Sequence, residues 1–166
     1  SGTREVNVEV TEEDTFLGNA DAKVTLIEYS DFQCPACKAY EPIIKQLRES
    51  YTAEELKFVF RHFPLRSIHP NADLAAQAAE SAGEEGKFWE MKDVLFEKQS
   101  EWAEEQDPRG FFSAYAQGLG LDVAEFEEDM KSDDDSKERV EKDYQSGVAL
   151  GINSTPTFIL NGVIIK

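Results

Sequence analysis

A Cys-x-x-Cys, Cys34-Pro35-Ala36-Cys37, stands where an apolar run gives way to helical spacing, and it constrains the fold more than any other feature. Upstream, Val24-Thr25-Leu26-Ile27-Glu28-Tyr29 is β-branched and nearly continuously apolar, the pattern of a central buried strand. Pro35 follows Cys34 directly, and proline suits the first helical position, where its missing N–H would have no partner. Tyr40, Ile43, Ile44 and Leu47 recur at three- and four-residue intervals, which predicts a helix from about Pro35 to Tyr51, kinked at Pro42. Leu56 to Arg61 is the next strand, so strand, helix and strand form a parallel crossover.

This places Cys34 at a helix N-cap and Cys37 one turn inside. The first N–H groups of a helix lack intrahelical partners, and the helix dipole is positive there. Both stabilise a thiolate on Cys34 and lower its pKa. The i, i+3 spacing brings Cys37 within disulfide reach. Cys34 can therefore attack a disulfide and Cys37 can resolve the mixed disulfide. Two other readings of the spacing stay open. A staple closing so small a loop would stabilise little. A zinc site would need two further ligands, for which His62 and His69 are the candidates.

The rest of the chain organises around this unit. Val6, Val8 and Val10 alternate with polar residues and predict a half-buried strand, followed by a turn over Leu17 to Asp21. From Pro64 to about Leu150 the pattern is helical. An alanine-rich helix, capped by Asn71, runs from Ala72 to Ala82 and ends at Gly83. A second carries Phe88, Met91, Val94 and Leu95; a third opens at Asp107-Pro108 and stops at Gly120. A fourth starts with the capping-box-like Asp122 and Glu125, and a fifth runs from Ser136 to about Leu150. The aromatic residues Phe88, Trp89, Phe111, Phe112 and Tyr115 read as core. Ser154-Thr155-Pro156 breaks the helical pattern. It is either a helix stop with a trans proline or a tight cis turn before strand Thr157 to Leu160. Asn161-Gly162 then signals a hairpin to Val163-Ile164-Ile165.

With 166 residues the chain is one domain with room for an insertion. Its net charge of −17 repels phosphate backbones and anionic lipid, which argues against nucleic acid as a partner. No apolar run spans a bilayer, and no apolar h-region lies near the start, so no signal peptide is expected.

Val24 to Cys37, Phe58 to Leu65, His69-Pro70, Gly86 to Met91 and Ser154 to Phe158 together resemble the DsbA family of thiol-disulfide oxidoreductases, over nearly the whole chain. The resemblance implies an α/β, thioredoxin-like fold at residues 1–63 and 151–166, interrupted by a helical subdomain at 64–150. It implies that Cys34 is the nucleophile, Cys37 the resolving thiol and Pro156 a cis proline facing them, with Thr155, Pro35 and Ala36 towards the substrate. The Thr155 backbone would bond an extended substrate strand. Glu28 would be a buried acid beneath the disulfide that exchanges a proton with Cys37; from the residues alone it could equally face outward at a strand edge. His62 and His69 are given no catalytic role.

Relatives carry another helix after the final hairpin; the chain stops at Lys166, so that helix is expected to be missing. No organic cofactor or metal is required. The expected reaction is oxidation of protein or peptide thiols outside the cytoplasmic membrane of a bacterium, with a quinone-linked membrane protein or another thiol protein as redox partner. The alternatives are a reductase or isomerase, or a non-catalytic module that holds peptides.

Overall fold

The computed structural model describes residues 2–132 and 134–165. Its elements are β1 (Arg4–Glu5), β2 (Thr15–Leu17), β3 (Val24–Ser30), α1 (Pro35–Ser50), β4 (Leu56–His62), α2 (Ala72–Glu84), α3 (Phe88–Glu97), α4 (Gln99–Trp102), α5 (Arg109–Gly118), α6 (Val123–Ser132), α7 (Asp134–Ala149), β5 (Thr157–Leu160) and β6 (Val163–Ile165). The strands form one sheet in the order β1-β6-β5-β3-β4-β2. β3 and β4 are parallel and joined by α1; the other neighbouring pairs are antiparallel. The helices α2 to α7 all lie between β4 and β5 in the chain, as the resemblance implies.

The parallel register pairs Leu26 with Phe58, Ile27 with Val59 and Glu28 with Phe60. Side chains alternate along a strand, so Leu26 and Glu28 share one face of the sheet and Ile27 and Tyr29 the other. On the first face Leu26, Leu56 and Phe58 meet Ile44 of α1, while Phe60 joins Phe32, Met91, Leu95 and Phe96 in the core of the inserted helices. On the second, Ile27, Tyr29 and Val59 pack with Ile159, Ile164, Phe63 and Ile152. α7 closes on that face at Gly147, where a Cβ would lie 2.6 Å from the Phe63 ring and 3.1 Å from Tyr29. The hairpin turn has φ 45° at Asn161 and 80° at Gly162, the double positive φ that favours Asn-Gly.

Several expectations are corrected. Residues 6–10 do not form a ladder strand: pairing with β6 stops at Glu5. Val6, Val8 and Val10 instead pack on the core of the second sheet face, and period-2 burial does not require a ladder. The segment 15–17, with Leu17 assigned to a turn, is the edge strand β2. The alanine-rich helix runs through Gly83 to Glu84, and α7 begins at Asp134 rather than Ser136. The short α4 gave no periodic signal. Asn71 makes no side-chain cap; its amide donates to carbonyls at the end of α4 instead. Asp122 does cap α6, accepting from the Glu125 N–H at 3.1 Å. Phe88, Phe112 and Tyr115 are buried, with Trp89 and Phe111 packed against them. The expected loss of a helix after the final hairpin concerns the chain from Lys166 onward, and Lys166 lies outside the described residues.

Candidate active site

β3 ends at Ser30, a four-residue loop turns the chain, and α1 starts at Pro35. Cys34 is the N-cap of α1, with extended backbone (φ −73°, ψ 120°) and Pro35 in the first turn. Both cysteines are free thiols; Cys34 is 6% exposed and Cys37 fully buried. The Thr155–Pro156 peptide bond is cis. The Cys34 thiol donates to the Thr155 carbonyl oxygen at 3.6 Å.

The two thiols differ in acidity. The neighbouring Cys37 thiol does most to hold the Cys34 pKa down, to about 5. The Thr155 side chain and the backbone N–H groups of Cys37 and Ala36 add to this, against the cost of burial. Those N–H groups are the unpaired donors of the first helical turn. Burial pushes the Cys37 thiol up, and the neighbouring Cys34 pushes it further.

Glu28 is fully buried in the middle of the sheet, opposite Phe60 on one side and Phe158 on the other. This excludes the strand-edge position. Neither of its carboxylate oxygens has a hydrogen-bond partner. Burial raises its pKa to about 8; Glu41 raises it too, and Lys92 opposes the shift. Lys92, itself buried, donates to Glu41 Oε2 at 2.6 Å, and both line a cleft of about 850 Å³ between α1 and α3. The buried Ser30 hydroxyl likewise has no hydrogen-bond partner.

The loop before Cys34 is tied to the helices inserted after β4. Asp31 Oδ1 accepts from the Gln33 N–H at 2.7 Å, and Oδ2 meets the Leu65 N–H at 2.8 Å and His69 Nδ1 at 2.7 Å. The Gln33 side chain accepts from the Asn71 N–H and donates to the Ala103 carbonyl, both at 2.8 Å. Gln99 of α4 donates to the Phe32 carbonyl at 2.6 Å and the Cys34 carbonyl at 3.1 Å. The Asn71 amide donates to the carbonyls of Trp102, Ala103 and Glu105 at the end of α4.

The structure thus gathers Cys34, Cys37 and Thr155 at one point, beside Pro156, with Glu28 within electrostatic reach. Pro35 and Ala36 are exposed at the tip of α1. Sequence reasoning missed Asp31, Gln33, Gln99 and the role of Asn71. Polar residues next to a Cys-x-x-Cys are the one available signal, and it points to Asp31 and Gln33 alone. The histidines are engaged apart: His69 with Asp31, and the buried His62 3.6 Å from Glu80. Among the described residues, no group of three or more His, Cys, Asp or Glu is placed to hold a metal ion.

A family model described as thioredoxin matches residues 10–166. Part of the Na(+)/H(+) antiporter NhaA 3 of Salinispora tropica is 39% identical over 149 residues, which is 90% of this chain and 22% of that protein. The NhaA 1 antiporter of Mycolicibacterium gilvum is 37% identical over 154 residues, 91% of this chain and 24% of that protein. The chain therefore spans less than a quarter of the length of these curated relatives. Among solved structures, oxidised BdbD of Bacillus subtilis gives a TM-score of 0.84 at 27% identity, over 98% of this chain and 89% of that one. DsbA2 of Pseudomonas aeruginosa gives 0.73 at 26% identity, over 93% and 83%.

Proposed function

The chain belongs to the thioredoxin family, with DsbA-type thiol-disulfide oxidoreductases as its structural neighbours, and we propose that it acts as a dithiol oxidase on protein or peptide thiols. The observation that carries this reading is the placement of Cys34 at the N-cap of α1, 3.6 Å from the Thr155 carbonyl, with Cys37 fully buried behind it, which holds the Cys34 pKa down and pushes that of Cys37 up. A stabilised Cys34 thiolate favours the reduced form of the pair, and that makes its disulfide oxidising.

In this reading a substrate thiolate attacks the Cys34 sulfur of the Cys34–Cys37 disulfide. The substrate–Cys34 bond forms, the Cys34–Cys37 bond breaks, and Cys37 leaves with the electron pair. Its high proton affinity means that it takes up a proton, and we assign Glu28, whose pKa burial raises to about 8, as the group that gives one. The second substrate thiolate then attacks the substrate sulfur of the mixed disulfide and expels Cys34 as a thiolate, a good leaving group because its pKa is low. Two electrons have passed from the substrate dithiol to the protein. An oxidising partner, quinone-linked or another disulfide protein, takes them off again. Thr155 and Pro156, beside Cys34 with the exposed Pro35 and Ala36, form the substrate-facing surface in this reading, and the helices within 64–150 count as a distinct subdomain.

Such chemistry belongs in an oxidising compartment, and we place the protein outside the cytoplasmic membrane. No helix among the described residues is long and apolar enough to cross a membrane. The test is direct transfer: oxidised protein mixed with a reduced two-cysteine peptide. One peptide disulfide per molecule of protein reduced is expected. Peptide bound without transfer would leave the holding-module reading, and transfer only in the opposite direction would leave the reductase.

A further inference from the structure

The four residues leading to and including the N-cap, Asp31 to Cys34, are all bonded to the segment inserted after β4. Within that set Gln99 has a special place. Its one buried amide nitrogen reaches carbonyls on both sides of Gln33, at Phe32 and at Cys34. The Cys34 carbonyl is also an α1 acceptor, taking the Lys38 N–H at 3.2 Å. Gln99 therefore supplies a second donor at the atom where the helix begins. The direction of the first N–H groups of α1 depends on the backbone that this carbonyl anchors. Asn71 fixes Gln99 in turn, because its amide holds the carbonyls at the end of the single turn that carries Gln99.

We propose that Gln99 is a positioning residue for the dithiol: it fixes the backbone of Phe32 and Cys34 so that the N-terminal N–H groups of α1 stay aimed at the Cys34 sulfur. The inference rests on the reading of Cys34 as the attacking thiol. It gives the inserted helices a part in the chemistry as well as in covering the sheet. A buried amide with both N–H groups bonded also costs free energy if either carbonyl moves away, so the loop has one favoured position.

The test is the pH profile of Cys34 alkylation by iodoacetamide in the reduced full chain. Gln99→Met keeps the length of the side chain and removes its donors. At about pH 4, below the Cys34 pKa, alkylation of this variant is expected to be three- to tenfold slower than in the unsubstituted protein, because each unit of pKa changes the thiolate fraction about tenfold there. At about pH 10 the two rates converge. Asn71→Ser loosens α4 without touching either loop carbonyl, and shifts the profile the same way by less. A purely structural role would lower the melting temperature of both variants and leave the profile in place, and that result overturns the proposal. If Gln99→Met does not fold, Asn71→Ser decides by the same criterion. If Cys34 of the unsubstituted protein titrates as an ordinary thiol, the oxidase reading itself fails and takes this proposal with it.

Discussion

The Cys34 sulfur lies 3.6 Å from the carbonyl oxygen of Thr155, a residue 121 positions further along the chain. The contact joins the first turn of α1 to the loop before β5, the two pieces of the sheet layer that the inserted helices separate in sequence. In the proposed exchange the two cysteines have different tasks, since Cys34 faces this loop and Cys37 is fully buried. Cys34→Ser is expected to abolish thiol exchange, whereas Cys37→Ser accumulates mixed disulfides with substrate, seen as a mass shift reversed by reductant. Full activity in Cys34→Ser would contradict the assignment of the nucleophile.

Thiolate stabilisation also shows in protein stability. The Cys34 pKa falls from 9.0 to about 5 on folding, so the folded state binds fewer protons than the unfolded state between those values. The resulting stability is fully present above pH 9 and is lost as pH falls through 5. The oxidised form has no thiolate, and its small disulfide loop adds little. At neutral pH the reduced protein is expected to be more stable than the oxidised by about 1–3 kcal/mol, with the gap closing towards pH 5. Denaturant titration of both forms across pH measures it; an oxidised form more stable at neutral pH would refute the stabilised thiolate.

Glu28 titrates with the other sign. Its pKa rises from 4.5 to about 8, so the folded state keeps a proton that the unfolded state has lost. Stability falls as pH rises from 4.5 through 8. Glu28→Gln keeps the shape and removes the titration. It is expected to be more stable than the unsubstituted protein by about 2–4 kcal/mol near pH 8, with the difference shrinking towards pH 4.5, and to slow exchange at the step where Cys37 leaves. A stability difference that does not vary with pH would show that Glu28 does not titrate in this range.

On the sheet face that carries Tyr29 and Phe63, Gly147 lets α7 approach the sheet. An added methyl at 2.6 Å from the Phe63 ring forces either the ring or the helix to shift. Gly147→Ala is expected to destabilise by about 1–3 kcal/mol in thermal or denaturant unfolding, with the Cys34 alkylation profile unchanged. Unchanged stability would show that the ring contact yields freely.

The strand-to-helix unit was legible because its signals are local: the apolar run of β3, Pro35 at the helix start, and the spacing of Ile43, Ile44 and Leu47. The residues that hold it were not. Gln99 bonds carbonyls 67 and 65 positions away, and nothing around it has a helical period. Asn71 precedes a helix, the usual place of a cap, but tertiary contacts claimed its amide. Residues 6–10 show the reverse case, a correct burial pattern without a strand, because alternation reports which side chains face the core and not whether a sheet edge is free to pair.

The most direct measurement of the central claim is the reduction potential of the Cys34–Cys37 pair, by equilibration with glutathione. A dithiol oxidase with a stabilised Cys34 thiolate is expected near the −120 mV or so of a strong oxidant. A value at or below about −270 mV, the range of thioredoxin, would contradict it and make the protein a reductase.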